Sequence, residues 1–130
     1  MKQTITKNDK NIKILNSLIT NGFYNGYIES EKFELRPNRW PNNHRLVGIL
    51  NNDGKYDLKF DYTSPMNIAV KFLLAFGILG SVIFLFMGHW ILPVIFIVCG
   101  LNILVTFKLK EKKEMNYFTD KLVEFQNTRE

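Results

Sequence analysis

Hydrophobic and polar positions follow two regimes along this chain. As far as Tyr62 they alternate or recur at short intervals. From about Phe72 to Phe107 nearly every position is apolar, with one interruption at Gly88-His89-Trp90. In the first regime, Asp9 to Thr20 reads as a short helix, with Asn8 or Asp9 able to cap it and Asn21-Gly22 to stop it. Ile12, Leu15 and Ile19 would share its apolar face, with Leu18 beside them. A strand pair follows, Tyr24 to Glu29 and Lys32 to Arg36, around a tight turn at Ser30-Glu31. After a polar loop comes a second pair, Arg45 to Leu50 and Lys55 to Tyr62, joined by Asn51-Asn52-Asp53-Gly54. Asp-Gly supplies the positive-φ positions that a tight hairpin favours. Tyr56, Leu58, Phe60 and Tyr62 alternate strictly with Lys55, Asp57, Lys59 and Asp61, the pattern of an antiparallel strand with one wet face.

The apolar block predicts membrane residence. A spanning helix needs about 20 mostly apolar residues. Met66 to Met87 supplies one span and Ile91 to Leu109 a second, so a helical hairpin turning at Gly88-His89-Trp90 fits better than one overlong span. Pro93 falls in the first turn of the second helix, where its missing N–H matters least. The turn contains no Lys or Arg, whereas Lys55, Lys59 and Lys71 lie near the entry and Lys108, Lys110, Lys112 and Lys113 follow the exit. The positive-inside rule then puts both termini in the cytoplasm. Lys71, a turn inside the first helix, can snorkel to the near headgroups. Placing the two spans in register brings Gly77 to the depth of Gly100. Gly77 and Ser81 form a small-xxx-small pair, so the expected packing is a close crossing of Gly77 and Gly100. Asn102, the one strongly polar side chain well inside the second span, is expected to hydrogen-bond the facing helix or a neighbouring copy.

Beyond the block, Lys110 to Asn127 reads as an amphipathic helix. Met115, Phe118, Leu122 and Phe125 form a stripe that needs an apolar partner. Packing on the sheet is the favoured solution over self-association or lying on lipid. The expected fold class is therefore membrane α+β: a short N-terminal helix, about four antiparallel strands, a transmembrane helical hairpin and a C-terminal amphipathic helix. The boundaries are residues 1–65 for a cytoplasmic α+β module, 66–109 for the hairpin and 110–130 for the last helix. The first eight residues and the last few are expected to be loose.

Composition narrows the chemistry. The net charge of +5 would suggest nucleic acid in a soluble protein. Here the lysines after the block suit anionic lipid headgroups better, at about 1 kcal/mol per well-placed Lys. The single cysteine, Cys99, cannot form an intrachain disulfide, and the N-terminus has no apolar h-region of a signal peptide. His44 and His89 fall on opposite sides of the bilayer in this topology and lack partners at metal-ligand spacing. The acidic residues alternate with lysines or sit in turns. No phosphate loop or nucleophile constellation is present. The expectation is a protein that is not an enzyme, holds no cofactor or metal and binds no nucleic acid. The most suggestive polar stretch runs from Arg36 to Arg45. Its candidate binding residues are Arg36, Arg39, Trp40, His44 and Arg45, suited to a phosphate, a carboxylate or lipid headgroups.

Gly26-x-Ile28, Phe33-x-Leu35, Arg45-x-x-Gly48-x-Leu50, Gly54-x-Tyr56-x-Leu58 and Pro65-Met66 leading into two spans resemble small uncharacterised bacterial membrane proteins with a soluble β-rich N-terminal part. The resemblance covers about residues 22 to 126. It implies an α+β soluble part with a two-helix hairpin and no known activity. The strand-plus-terminal-helix layout is also similar to bacterial pleckstrin-homology-like modules. The leading expectation is an inner-membrane, two-pass protein anchoring a cytoplasmic protein-interaction module, with membrane lipids, an unidentified protein or its own copies as partners. Lipid-headgroup sensing and an immunity-type membrane protein are the alternatives.

Overall fold

The computed structural model describes residues 3–128. Met1, Lys2, Arg129 and Glu130, part of the ends expected to be loose, lie outside the described residues. The elements are β1 (Thr4–Thr6), α1 (Asp9–Thr20), β2 (Tyr24–Ile28), β3 (Lys32–Pro37), β4 (His44–Leu50), β5 (Lys55–Tyr62), α2 (Met66–Phe86) and α3 (Ile91–Asn127). The chain divides into two compact units. One carries the sequence through Thr63 and again from Met115; the other is Ser64–Glu114.

The first unit is an antiparallel sheet in the order β1-β5-β4-β3-β2 with helices on one face. It has five strands rather than four, because Thr4–Thr6 pairs with β5, Ile5 opposite Tyr56. For Thr4 to Asn8 the expectation of a loose N-terminus is thus corrected. Lys7 N–H also bonds the Gly54 carbonyl at 3.0 Å, and Asn8 caps α1 by accepting the Asn11 N–H at 2.7 Å. Both earlier hairpins fall where their patterns place them. In the second, Asn51 Oδ1 accepts the Asp53 and Lys55 N–H groups, and Gly54 takes φ +71°.

The core follows from strand alternation. Phe33 and Leu35 of β3, Leu46 of β4, and Tyr56, Leu58 and Phe60 of β5 are buried on one face. Phe33 lies across Gly48, where an added Cβ would overlap the ring. The ring is fully buried and edge-on to Tyr56, with centroids 5.1 Å apart, so it has little room to yield. The buried side of α1 centres on Ile14, Leu15 and Leu18, while Ile12 and Ile19 are only half-buried. The apolar face is thus rotated from the one expected. The rotation places Asn11 inside as well, where its amide donates to the Thr6 carbonyl at 2.8 Å and accepts from Gln126 Nε2 at 3.2 Å.

Met115, Phe118 and Leu122 are buried in this same unit. Phe118 meets Tyr24 of β2 edge-on, with centroids 6.1 Å apart, and Phe125 meets Phe23 at 5.9 Å. These residues belong to no separate helix: α3 runs unbroken from Ile91 to Asn127. Lys108 to Lys113 change its hydropathy but contain no Gly or Pro to end it, and Lys and Glu are good helix formers.

The second unit holds α2 and the first part of α3, joined by Met87–Trp90 with Gly88 at φ +77°. Both helices are long and apolar enough to cross a membrane. The expected close crossing of Gly77 and Gly100 is not formed. An added Cβ at Gly100 would meet nothing within 4 Å, and one at Gly77 would meet only the Phe96 ring at 3.7 Å. An apolar groove of about 650 Å³ runs between the helices past both glycines, with Phe96 in its lining. Ser81 turns back on its own helix, donating to the Gly77 carbonyl at 2.6 Å.

Candidate functional site

The helix-free face of the sheet carries the polar residues of each strand's alternation. The registers place Asn25 and Tyr27 of β2, Glu34 and Arg36 of β3, Arg45 and Val47 of β4, and Lys59 and Asp61 of β5 on it. At its centre is Glu34, whose side chain is only 5 % exposed. Arg36 Nε and Nη2 donate to Glu34 Oε1 at 3.1 and 3.0 Å, and Arg45 Nη1 donates to Oε2 at 3.0 Å. The Tyr27 hydroxyl lies 3.5 Å from Oε2. Arg45 also faces its cross-strand partner Asp61, at 3.7 Å. Burial pushes the Glu34 carboxyl up, but the hydrogen bonds and positive charge of Arg36 and Arg45 outweigh it and hold the group below its ordinary value. The cluster is thus a carboxylate clamped between two guanidiniums. It offers no protonated acid and no general base near neutrality.

The five residues proposed for the Arg36-to-Arg45 stretch do not converge. Arg36 and Arg45 are engaged by Glu34 on the open face. His44, one position before Arg45, points to the opposite face, is 2 % exposed and packs against Phe60 with centroids 5.0 Å apart. Arg39 holds its guanidinium 3.6 Å from the ring centre of Tyr117 on α3. Trp40 is 91 % exposed. The five candidate residues of the loop thus fall into an internal ion cluster, a buried histidine, a cation–π contact and one exposed indole. The physical reason is strand alternation: it sends neighbouring residues 44 and 45 to opposite faces.

Sequence reasoning missed Glu34, and with it Tyr27 and Asp61. The available signal was the i, i+2 spacing of Glu34 and Arg36, which puts opposite charges on one strand face. The second arginine arrives only through the β3–β4 register.

On α3, Lys108 pairs with Glu111 at 3.0 Å, while Lys112 and Lys113 are exposed and Lys110 half-buried. Asn102 is exposed, and its Oδ1 accepts from the Thr106 hydroxyl one turn along its own helix, at 3.3 Å. It does not reach α2, as had been one expectation. Among the described residues no group of three His, Cys, Asp or Glu side chains could hold a metal ion. No family model matches this chain, and neither does a curated protein or a solved structure.

Proposed function

We propose that the protein is a non-enzymatic integral membrane protein of the plasma (inner) membrane. In this reading α2 and the apolar part of α3 cross the bilayer as a hairpin with both termini cytoplasmic. The sheet unit is a small interaction module held at the membrane. The observation that carries it is the exposure of the apolar helices. In the most apolar stretch of α2 no residue is buried, and in that of α3 only 6 % are. A core helix of a water-soluble domain hides such a surface against its own chain; here most Leu, Ile, Val and Phe side chains of both helices are exposed. Water would not tolerate an apolar patch of that extent, and lipid would cover it. The lysine-free turn and the basic run after Phe107 support the orientation.

Carbonate extraction of membranes tests the first step, and the protein is expected to stay in the pellet. For orientation, a thiol placed at the turn by His89→Cys in a Cys99→Ser background should react with an impermeant maleimide only from the outer side. One at Asn127→Cys should react only from the cytoplasm. Release by carbonate would remove the reading, and inverted labelling would reverse the topology.

A second reading, headgroup sensing, is favoured by one observation, the 91 % exposure of Trp40. A Trp90→Phe variant leaves Trp40 as the only indole. In vesicles containing lipids brominated near the headgroup, Trp40 emission should fall relative to unbrominated vesicles. Emission indifferent to bromination would eliminate this second reading and leave the first intact.

A further inference from the structure

We propose that α3 pairs in parallel with α3 of a second copy of this chain, through a seam of Ile91, Ile95, Val98, Asn102, Val105 and Leu109. The inference rests on the reading that α2 and α3 cross a membrane. Three observations carry it.

The six residues recur at alternating steps of four and three, the spacing of a left-handed two-helix seam. Their apolar members are all between 51 % and 65 % exposed, and Asn102 is exposed as well. Apart from Ile95, which also borders the groove between α2 and α3, the seam residues lie away from the side of α3 where Gly100, Ile103 and Phe107 are half-buried.

Asn102 interrupts the seam at its middle. It precedes Lys108 by six residues, about 9 Å along the helix axis, so in the hairpin reading its amide lies in hydrocarbon. Its Oδ1 has the Thr106 hydroxyl, but Nδ2 donates to nothing among the described residues. An amide donor without an acceptor in lipid is costly.

A carboxamide is its own complement, since Nδ2 of one can donate to Oδ1 of another while the second returns the bond. Insertion gives every copy the same orientation, so two α3 helices meet in parallel and a two-fold axis along the bilayer normal sets residue 102 against residue 102. A second copy thus supplies the missing acceptor at the required depth, whereas an unrelated helix would need a polar group placed there independently. A single Asn in such a seam also fixes register. The association depends on the amide because the seam's apolar residues gain little by leaving lipid for one another.

Oxidative cross-linking in native membranes tests this. In a Cys99→Ser background, Val98→Cys places a thiol on the seam and Leu104→Cys places one off it. The first should give a disulfide-linked band at twice the chain mass, and the second should not. Adding Asn102→Leu to Val98→Cys should cut the linked fraction about tenfold, and Asn102→Gln should largely keep it. Förster transfer between labelled copies in vesicles should show the same order among the Asn102 variants. Each variant is first checked for retention after carbonate extraction. Loss from the pellet brings down the membrane reading itself. With the chain retained, equal linking at 98 and 104, linking indifferent to Asn102→Leu, or a band of another mass overturns the pairing while the membrane reading stands.

Discussion

Truncating Phe118 to alanine is expected to remove about 3–5 kcal/mol from the stability of the sheet unit. The ring is 1 % exposed and meets Tyr24 edge-on, so the loss combines the buried area, the cavity left behind and an aromatic pair worth about 1 kcal/mol. A unit of this size has only several kcal/mol in total. In the full chain in detergent, amide exchange in β3 and β4 should accelerate by two orders of magnitude or more. Val123→Ala, at a 44 % exposed position off the stripe, should leave exchange nearly unchanged. If Phe118→Ala also left it unchanged, the segment from Met115 onward would not be part of the sheet's core. That outcome would return the stripe of Met115, Phe118 and Leu122 to self-association or to lipid.

Which parts of this architecture could be read from the sequence depends on how local their causes are. The alternation of Tyr56 to Tyr62, the Asp-Gly turn before it and the cap of α1 are written within a few neighbouring residues, and the elements fall accordingly. The strand Thr4–Thr6 has one apolar residue and takes its structure from β5, about fifty positions away, so no local pattern announces it. Hydropathy drops after Leu109, which suggests a helix end there; the drop marks a change of surroundings rather than an end of helical hydrogen bonding, and α3 continues to Asn127. The glycines illustrate a different limit. Sequence spacing matches Gly77 with Gly100, but matched small residues need not touch: an added Cβ at Gly77 would meet only the Phe96 ring, and one at Gly100 would meet nothing within 4 Å.

The candidate site was legible in composition and illegible in arrangement. Three arginines, a tryptophan and a histidine within ten positions suggest a ligand. Pairing then assigns Arg36 and Arg45 to an internal carboxylate and His44 to the core, leaving Trp40 outward. An arginine already bonded to a buried carboxylate is a weaker recruit for an outside anion, since the anion must displace that carboxylate or share the guanidinium. Binding by the open face would therefore draw first on its exposed apolar surface, such as the Tyr27 ring and Ile49, both more than 40 % exposed. That composition favours a protein partner over a free phosphate.

The clamped carboxylate makes the second large prediction. Glu34→Gln keeps the side-chain shape and removes the charge, so it stands in for the protonated acid. At neutral pH it should destabilise the sheet unit by about 2–3 kcal/mol, the range of a hydrogen-bonded charge left uncompensated at a partly buried site. Most of this arises at Arg45, whose side chain is 25 % exposed and keeps the longer 3.7 Å contact with Asp61. Arg36 is 51 % exposed and contributes less, because water screens it. The pH dependence has a definite sign. The folded-state value of Glu34 lies below its ordinary 4.5, so the folded protein binds this proton less readily than the unfolded chain. The stabilisation is complete above the ordinary value and disappears as pH falls through the lowered one. Unfolding of the native chain and of Glu34→Gln, followed by near-ultraviolet circular dichroism in a non-ionic detergent, should show a gap that is constant from pH 8 to about pH 5. Below that the gap should close, because the acid form of the native chain then resembles the amide. A gap that persisted undiminished to pH 2.5 would mean that the carboxylate's charge contributes nothing. The two arginines would then be held by packing and cross-strand pairing alone, free to meet an anion from outside.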